Sequence, residues 1–172
     1  VNSIVDLSKL TSNQYELNLE NVNLGELVQE RTVLYKKIFS DDTAKQEFIF
    51  DIGDDFIAEC DRYYITQTID NLISNAVNYG KGKPVTLSLK EAEGNSISFF
   101  IADCGIGIAK TELLSIFSKF SVSSKTSTPA GGRGVGLALC KSAIEAHSGE
   151  ISAISDNKRS VFTFTIPIKQ QK

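Results

Sequence analysis

The pattern of the chain predicts an α/β protein of the α+β kind: a two-layer sandwich whose mixed, largely antiparallel sheet is packed on one face by about three helices. Three observations predict it. Stretches with helical spacing and short alternating stretches are interspersed along the chain. The alternating stretches come mostly in pairs joined by short turns, which favours antiparallel hairpins over repeated βαβ units. At 172 residues the chain holds one substantial domain and a short extension, and not two ordinary domains.

Element by element, Ile4, Leu7 and Leu10 follow a helical spacing, so residues 1 to about 11 read as the end of a helix. Tyr15 to Leu19 alternates as a strand does. Leu24 to Phe39 is helical, with Asn23 as its N-cap and Leu24, Leu27, Val28, Arg31, Leu34, Tyr35 and Ile38 as its inward stripe. Phe48 to Ile52 is a second strand, and residues 61 to 79 carry the strongest helical pattern. Pro84 to Lys90 and Ser96 to Ala102 form a hairpin around Glu93-Gly94-Asn95. Thr111 to Phe117 is a short helix, followed by a polar loop from Ser118 to Gly132. Gly134 to His147 is a helix closed by Gly149, and Gly149 to Ser155 with Ser160 to Ile168 make a last hairpin.

Composition narrows the function classes. A net charge of −3 does not suit a nucleic-acid surface, which needs clustered Lys and Arg. No apolar run approaches the ~18 residues of a membrane span, so this segment is expected to make no direct membrane contact. The chain opens on Val1 and has no Met, and is expected to be part of something longer. Cys60, Cys104 and Cys140 are odd in number and widely spaced, as structural thiols of a reducing compartment would be.

On the strongest helix, Ile65, Ile69, Leu72, Ile73 and Ala76 bury one face, while Asn71, Asn75 and Asn78 share a second. Asparagine is a poor residue for a helix interior, because its amide competes for backbone partners. A carboxamide oxygen is a hard, neutral ligand suited to Mg²⁺, which takes its other ligands from water and substrate phosphates. Asn75, between Leu72 and Tyr79, is best placed for that.

Two glycine motifs follow. The strand ending in Ala102 runs into Asp103-Cys104-Gly105-Ile106-Gly107-Ile108. A carboxylate at a buried strand end can accept from an exocyclic amine, while alternating glycines let backbone approach a flat ligand. It is not a dinucleotide fingerprint, since Lys110 stands where GxGxxG needs glycine. The second, Gly131-Gly132-Arg133-Gly134-Val135-Gly136, opens a helix, and unpaired amides at a helix N-terminus make an anion site. No GxxxxGK[ST] occurs, which excludes a P-loop.

Together, Asn71-Leu72-Ile73-Ser74-Asn75-Ala76, the DCGIGI strand end, Phe117-Ser118-Lys119-Phe120 and GGRGVGLAL resemble the ATP-binding catalytic domain of bacterial sensor histidine kinases. That domain shares a superfamily with gyrase, the heat-shock chaperone ATPases and the mismatch-repair ATPases. The resemblance implies a Bergerat-type fold over residues 13–172, with residues 1–12 as the end of the second dimerisation helix. It implies a protein-histidine kinase using ATP and Mg²⁺, with Asn75 on the metal and Asn71 beside it. Tyr79 would pack on adenine and Asp103 would accept from its amino group, with Gly105, Gly107 and Ile108 shaping that wall. Phe117 and Phe120 would anchor a lid. Gly132, Gly134, Val135, Gly136 and Leu137 would flank the phosphates.

The pattern departs from the family at Asn78, where a phosphate-reaching Lys is common. It departs again at Ser118-Lys119, where Glu-Pro is usual, and in having no Arg after Phe120. Lys119, Lys125 or Arg133 is expected to supply the missing charge. His147, the single histidine, falls near a helix end and is expected to be structural, the phospho-accepting histidine lying outside this chain.

In hydrolytic relatives a glutamate one turn before the metal-binding asparagine activates water. Here that position is Asn71, and Asp70 projects about 100° away. Slow hydrolysis and phosphoryl transfer to an imidazole are therefore expected. The partners implied are the dimerisation and histidine-phosphotransfer domain of the same protein and a response-regulator receiver domain, in the cytoplasm, with the fragment itself monomeric. An ATP-hydrolysing switch of the gyrase or chaperone type, and a degenerate nucleotide-binding module, are the alternatives.

Overall fold

The computed structural model describes residues 8–10, 16–38, 46–53, 55–113, 115–118, 136–156 and 158–170. The elements run β1 (Leu19–Asn23), α1 (Leu24–Ile38), β2 (Phe48–Ile52), β3 (Ile57–Asp61), α2 (Arg62–Gly80), β4 (Val85–Ala92), β5 (Ser96–Asp103), α3 (Lys110–Leu113), α4 (Gly136–Ala146), β6 (Glu150–Ser155) and β7 (Ser160–Pro167). Residues 8–10 form a further helical turn.

The main sheet has the order β2-β4-β5-β7-β6. Its pairs are antiparallel except β2 with β4, which is parallel and registers Phe48 with Val85. Phe99, Phe162 and Phe164 on its inner face, with Leu87 and Ile101, are fully buried against Ile65, Ile69, Leu72 and Ile73 of α2. Helix α2 lies between α1 and α4 and packs on both. This is the expected sandwich, mixed and largely antiparallel, with helices on one face.

Helix α2 begins where it should. Asp61 accepts from the amides of Tyr63 (3.0 Å) and Tyr64 (3.3 Å), capping two donors that the helix cannot pair itself. Asn23 caps α1 in the same way, its Oδ1 accepting from Glu26 N–H at 3.2 Å.

Several expectations need correction. Strand β3 was not foreseen: it pairs antiparallel with β1 in a separate two-stranded ribbon. Its buried residues are Ala58, Cys60 and the capping Asp61, with Glu59 among them and Ile57 exposed, so it carries almost no hydrophobic alternation. The first strand is Leu19–Asn23, and residues 16–18 are irregular. Ile38 does not join the inward stripe of α1; it is 65% exposed, on the open side of a cavity that it lines with Tyr35 and with Asp70, Asn71 and Ser74 of α2. The helix expected from Thr111 to Phe117 is confined to Lys110–Leu113. Gly149 does close α4, its N–H donating to the Ile144 carbonyl at 2.9 Å, but the left-handed residue of that turn is Ser148, at φ 61°.

Candidate nucleotide site

The site is assembled along one side of α2. Near its C-terminal end, Asp103 leaves β5 with 1% exposure. One carboxylate oxygen, Oδ1, accepts from Gly105 N–H at 3.1 Å; the other, Oδ2, is buried without a partner. Burial pushes the carboxyl up to about 6, only partly offset by the Gly105 amide. A buried acceptor with no donor is costly in a folded protein unless something arrives to use it. A ligand amine meets that need.

The loop beyond Asp103 is fixed by backbone contacts on two sides. Ile106 N–H donates to the Tyr79 carbonyl at 3.0 Å, and Ile108 N–H donates to Ser155 Oγ at 2.7 Å. Gly105 lies so close to the end of α2 that a Cβ there would stand 2.6 Å from the Gly80 Cα. Gly107 has φ +71°, and its Cβ would run into the Asp156 carbonyl. The alternating glycines are thus required by the loop's approach to α2 and to the β6–β7 turn. Ser155, which sequence reasoning missed, is the hub of this wall: its hydroxyl meets Ile108, Ser160 and the Arg159 carbonyl. Only its position opposite a strand end could have signalled it.

Ile108 and Tyr79 are 4% and 5% exposed and belong to the main core, so both support the wall from behind. Asn75 is half-buried, and its Nδ2 is a second buried polar atom without a partner. Asn71, one turn earlier, stands against the first residue of α4: a Cβ on Gly136 would lie 3.0 Å from Asn71 Oδ1. Asn78 is half-buried. Asn71 and Tyr79 are separated by about 12 Å of helix, the span a nucleoside triphosphate has to cover.

Leu137 is half-buried on α4 and packs against the main core. Phe117 meets Phe162 of β7 edge-on, with centroids 6.1 Å apart, which holds the segment after α3 to the sheet. Lys119, Phe120, Lys125, Gly132, Arg133, Gly134 and Val135 lie outside the described residues. Among the described residues no cluster of three His, Cys, Asp or Glu could hold a metal, so an ion here would rely on an amide oxygen, water and substrate phosphates.

Asp70 is held by Arg31 in a two-pronged ion pair of 2.9 and 2.7 Å, which also raises the guanidinium above its ordinary value. His147 is fully buried: its Nδ1–H donates to the Ala143 carbonyl (2.7 Å) and its Nε2 accepts from Asp61 N–H (2.9 Å). Those bonds fix one neutral tautomer, and burial lowers its pKa. Its role is structural. No helix among the described residues is long and apolar enough to cross a membrane.

Residues 60–170 match the family model described as histidine kinase-, DNA gyrase B- and HSP90-like ATPase. The sensor histidine kinase WalK of Bacillus subtilis is 34% identical over 177 aligned residues, covering 100% of this chain and 28% of that protein. The autoinducer 2 sensor kinase/phosphatase LuxQ of Vibrio vulnificus is 30% identical, covering 99% of this chain and 21% of that protein. The chain thus spans about a quarter of the length of these curated relatives. Among solved structures, the catalytic domain of histidine kinase ThkA is 27% identical with a TM-score of 0.76, covering 89% of this chain and 97% of that one. Full-length ShkA in complex with AMPPNP superposes at a TM-score of 0.83 and 22% identity, covering 99% of this chain and 35% of that one, a likeness of fold. The chain belongs to the histidine kinase-, DNA gyrase B- and HSP90-like ATPase family.

Proposed function

We propose that this chain binds Mg-ATP and transfers the γ-phosphoryl group to a histidine on a separate dimerisation domain of a two-component sensor kinase, for onward transfer to a response regulator in the cytoplasm. The observation that carries the reading is Asp103 Oδ2, a buried acceptor left open at the end of a glycine-lined loop. The adenine amino group is the donor it lacks.

In this reading Asp103 and the main chain of residues 104–108 hold the base, and the first turn of α4 faces the phosphates with Asn71 beside it. Asn75 is the side chain suited to Mg²⁺, which when bound would neutralise charge on the phosphate oxygens. Lys119, Lys125 or Arg133 is proposed to add positive charge from the segment that precedes α4 in the sequence. Residues 1–12 are proposed to be the end of the dimerisation helix.

Water is a poor nucleophile in this site. The residue one turn before Asn75 is an amide, and the nearest carboxylate in sequence, Asp70, is engaged by Arg31. A neutral imidazole needs no such base: its nitrogen attacks phosphorus as the bond to the β,γ-bridging oxygen breaks, and ADP leaves with the electron pair. Incubated with γ-labelled ATP, the chain should stay unlabelled and should label a dimerisation domain added in trans. Stable labelling of the chain at His147, or fast turnover of ATP with no acceptor present, would overturn the proposal.

A further inference from the structure

Cys140 is fully buried on α4, where that helix packs on α2. Its S–H donates to the Thr68 carbonyl of α2 at 3.7 Å. One turn along α2 from Thr68, the side-chain amide of Asn71 also bonds to Cys140. One turn back along α4 from Cys140, Gly136 stands against the same amide. Asn71 is thus enclosed by two positions of α4, a thiol and a glycine.

The thiol settles which way round the amide sits. A carbonyl can only accept, so the single proton of the thiol is committed to Thr68. Towards Asn71 the sulfur can then only accept, and the group facing it must be the Nδ2 donor. Oδ1 turns to the first residue of α4. The distances agree: a Cβ on Gly136 would lie 3.0 Å from Oδ1 and 4.0 Å from Nδ2. We infer that Cys140 is a positioning residue for the nucleotide site, holding Asn71 so that an oxygen and not an NH₂ group faces the first turn of α4. The inference rests on the function proposed above and gives it a further residue. An amide oxygen beside a phosphate repels it unless a cation or its bound water lies between, so Asn71 held this way favours hydrated Mg²⁺ over bare phosphate.

The test compares Cys140→Val, Cys140→Ala and Cys140→Ser with the parent chain. Serine keeps a donor for Thr68 and an acceptor for Asn71; valine and alanine keep neither. Affinity for a non-hydrolysable ATP analogue is measured by calorimetry, with Mg²⁺ and with a chelator, and thermal melts report folding. The Asn71 side-chain NH₂ is followed by NMR, its signals assigned through Asn71→Asp. Cys140→Val and Cys140→Ala should each weaken binding roughly fivefold with Mg²⁺, leave it unchanged with chelator, and speed exchange of the Asn71 NH₂ protons. Cys140→Ser should match the parent in all three. Equal Mg²⁺ dependence in the parent, Cys140→Val and Cys140→Ala would overturn the inference, and so would Cys140→Ser impaired as far as Cys140→Val. A loss of affinity that follows the melting temperature and is the same with and without Mg²⁺ would also overturn it, leaving the thiol a packing role. A parent that binds no analogue would instead overturn the proposed function, and the NH₂ exchange would then decide by itself whether Cys140 orients Asn71.

Discussion

Two buried aspartates, one at each end of α2, are supplied with hydrogen-bond donors in opposite measure. Asp61 is 5% exposed and accepts from three amides, those of Asn18, Tyr63 and Tyr64. Asp103 is 1% exposed and accepts from one, leaving Oδ2 empty-handed. Both are acids on the last residue of a strand, and in the sequence only the glycines that follow Asp103 set the two apart. What differs is the supply of donors. At Asp61 the chain surrounds the carboxylate with its own N–H groups; at Asp103 two glycines pull the backbone away along α2.

The largest test of this contrast is Asp61→Ala. It strips partners from three amides and uncaps α2, so stability should fall by about 3 kcal/mol in a denaturant titration. Asp103→Asn should do the reverse. The unliganded protein should gain about 1–2 kcal/mol, because an ionised buried carboxyl is removed. Affinity for ATP should fall roughly a hundredfold, with preference over GTP reduced. Equal binding of ATP and GTP by parent and variant alike would remove Asp103 from the base site.

The pH dependence sharpens the same point. The carboxyl of Asp103 is raised from 3.8 to about 6, so its stabilising contribution is complete below 3.8 and is lost as pH rises through about 6. His147 is lowered from 6.5, so its contribution is present above 6.5 and is lost as pH falls through the lowered value. The two oppose each other in mild acid. Removing the first by Asp103→Asn should make the loss of stability between pH 6 and 4 steeper than in the parent, read by thermal melts across that range. ATP affinity of the parent should rise through about pH 6, as Oδ2 becomes an open acceptor.

The smallest effect is expected at Arg31. The pair with Asp70 is partly open to water, with side chains 25% and 37% exposed, so Arg31→Met should cost only about 0.5–1 kcal/mol. Asp70 would then be released, but it lines the cavity between α1 and α2 one residue out of step with the Asn71 position. ATP hydrolysis should stay at the parent's level; a clear rise would mean that the ion pair, and not the amide at Asn71, suppresses water attack.

Much of this was legible because it is written in local patterns. The apolar stripe of α2, the Asn23 cap, the two hairpins and the strand-end position of Asp103 each depend on a few neighbouring residues. What was not legible depends on distant ones. Strand β3 is held by pairing to β1, and the only apolar side chains it buries are the small ones of Ala58 and Cys60. Ile38 follows the period of its helix but lines an open cavity between α1 and α2, where no side chain covers it. Ser155 gained its place in the site wall through a bond 47 residues back, to Ile108. The glycines at 105 and 107 were read as yielding to a flat ligand; in the structure their first duty is to fit against Tyr79, Gly80 and Asp156.

The three thiols have unequal fates. Cys60 and Cys140 are sealed inside, both pushed up to about 12 by burial, while Cys104 is exposed and immediately follows the carboxylate of the site. A thiol-reactive dye added to the native chain should therefore settle at one address without any engineering. Placed at the rim of the wall proposed to hold the base, it would act as a built-in reporter, its emission changing as a nucleotide enters.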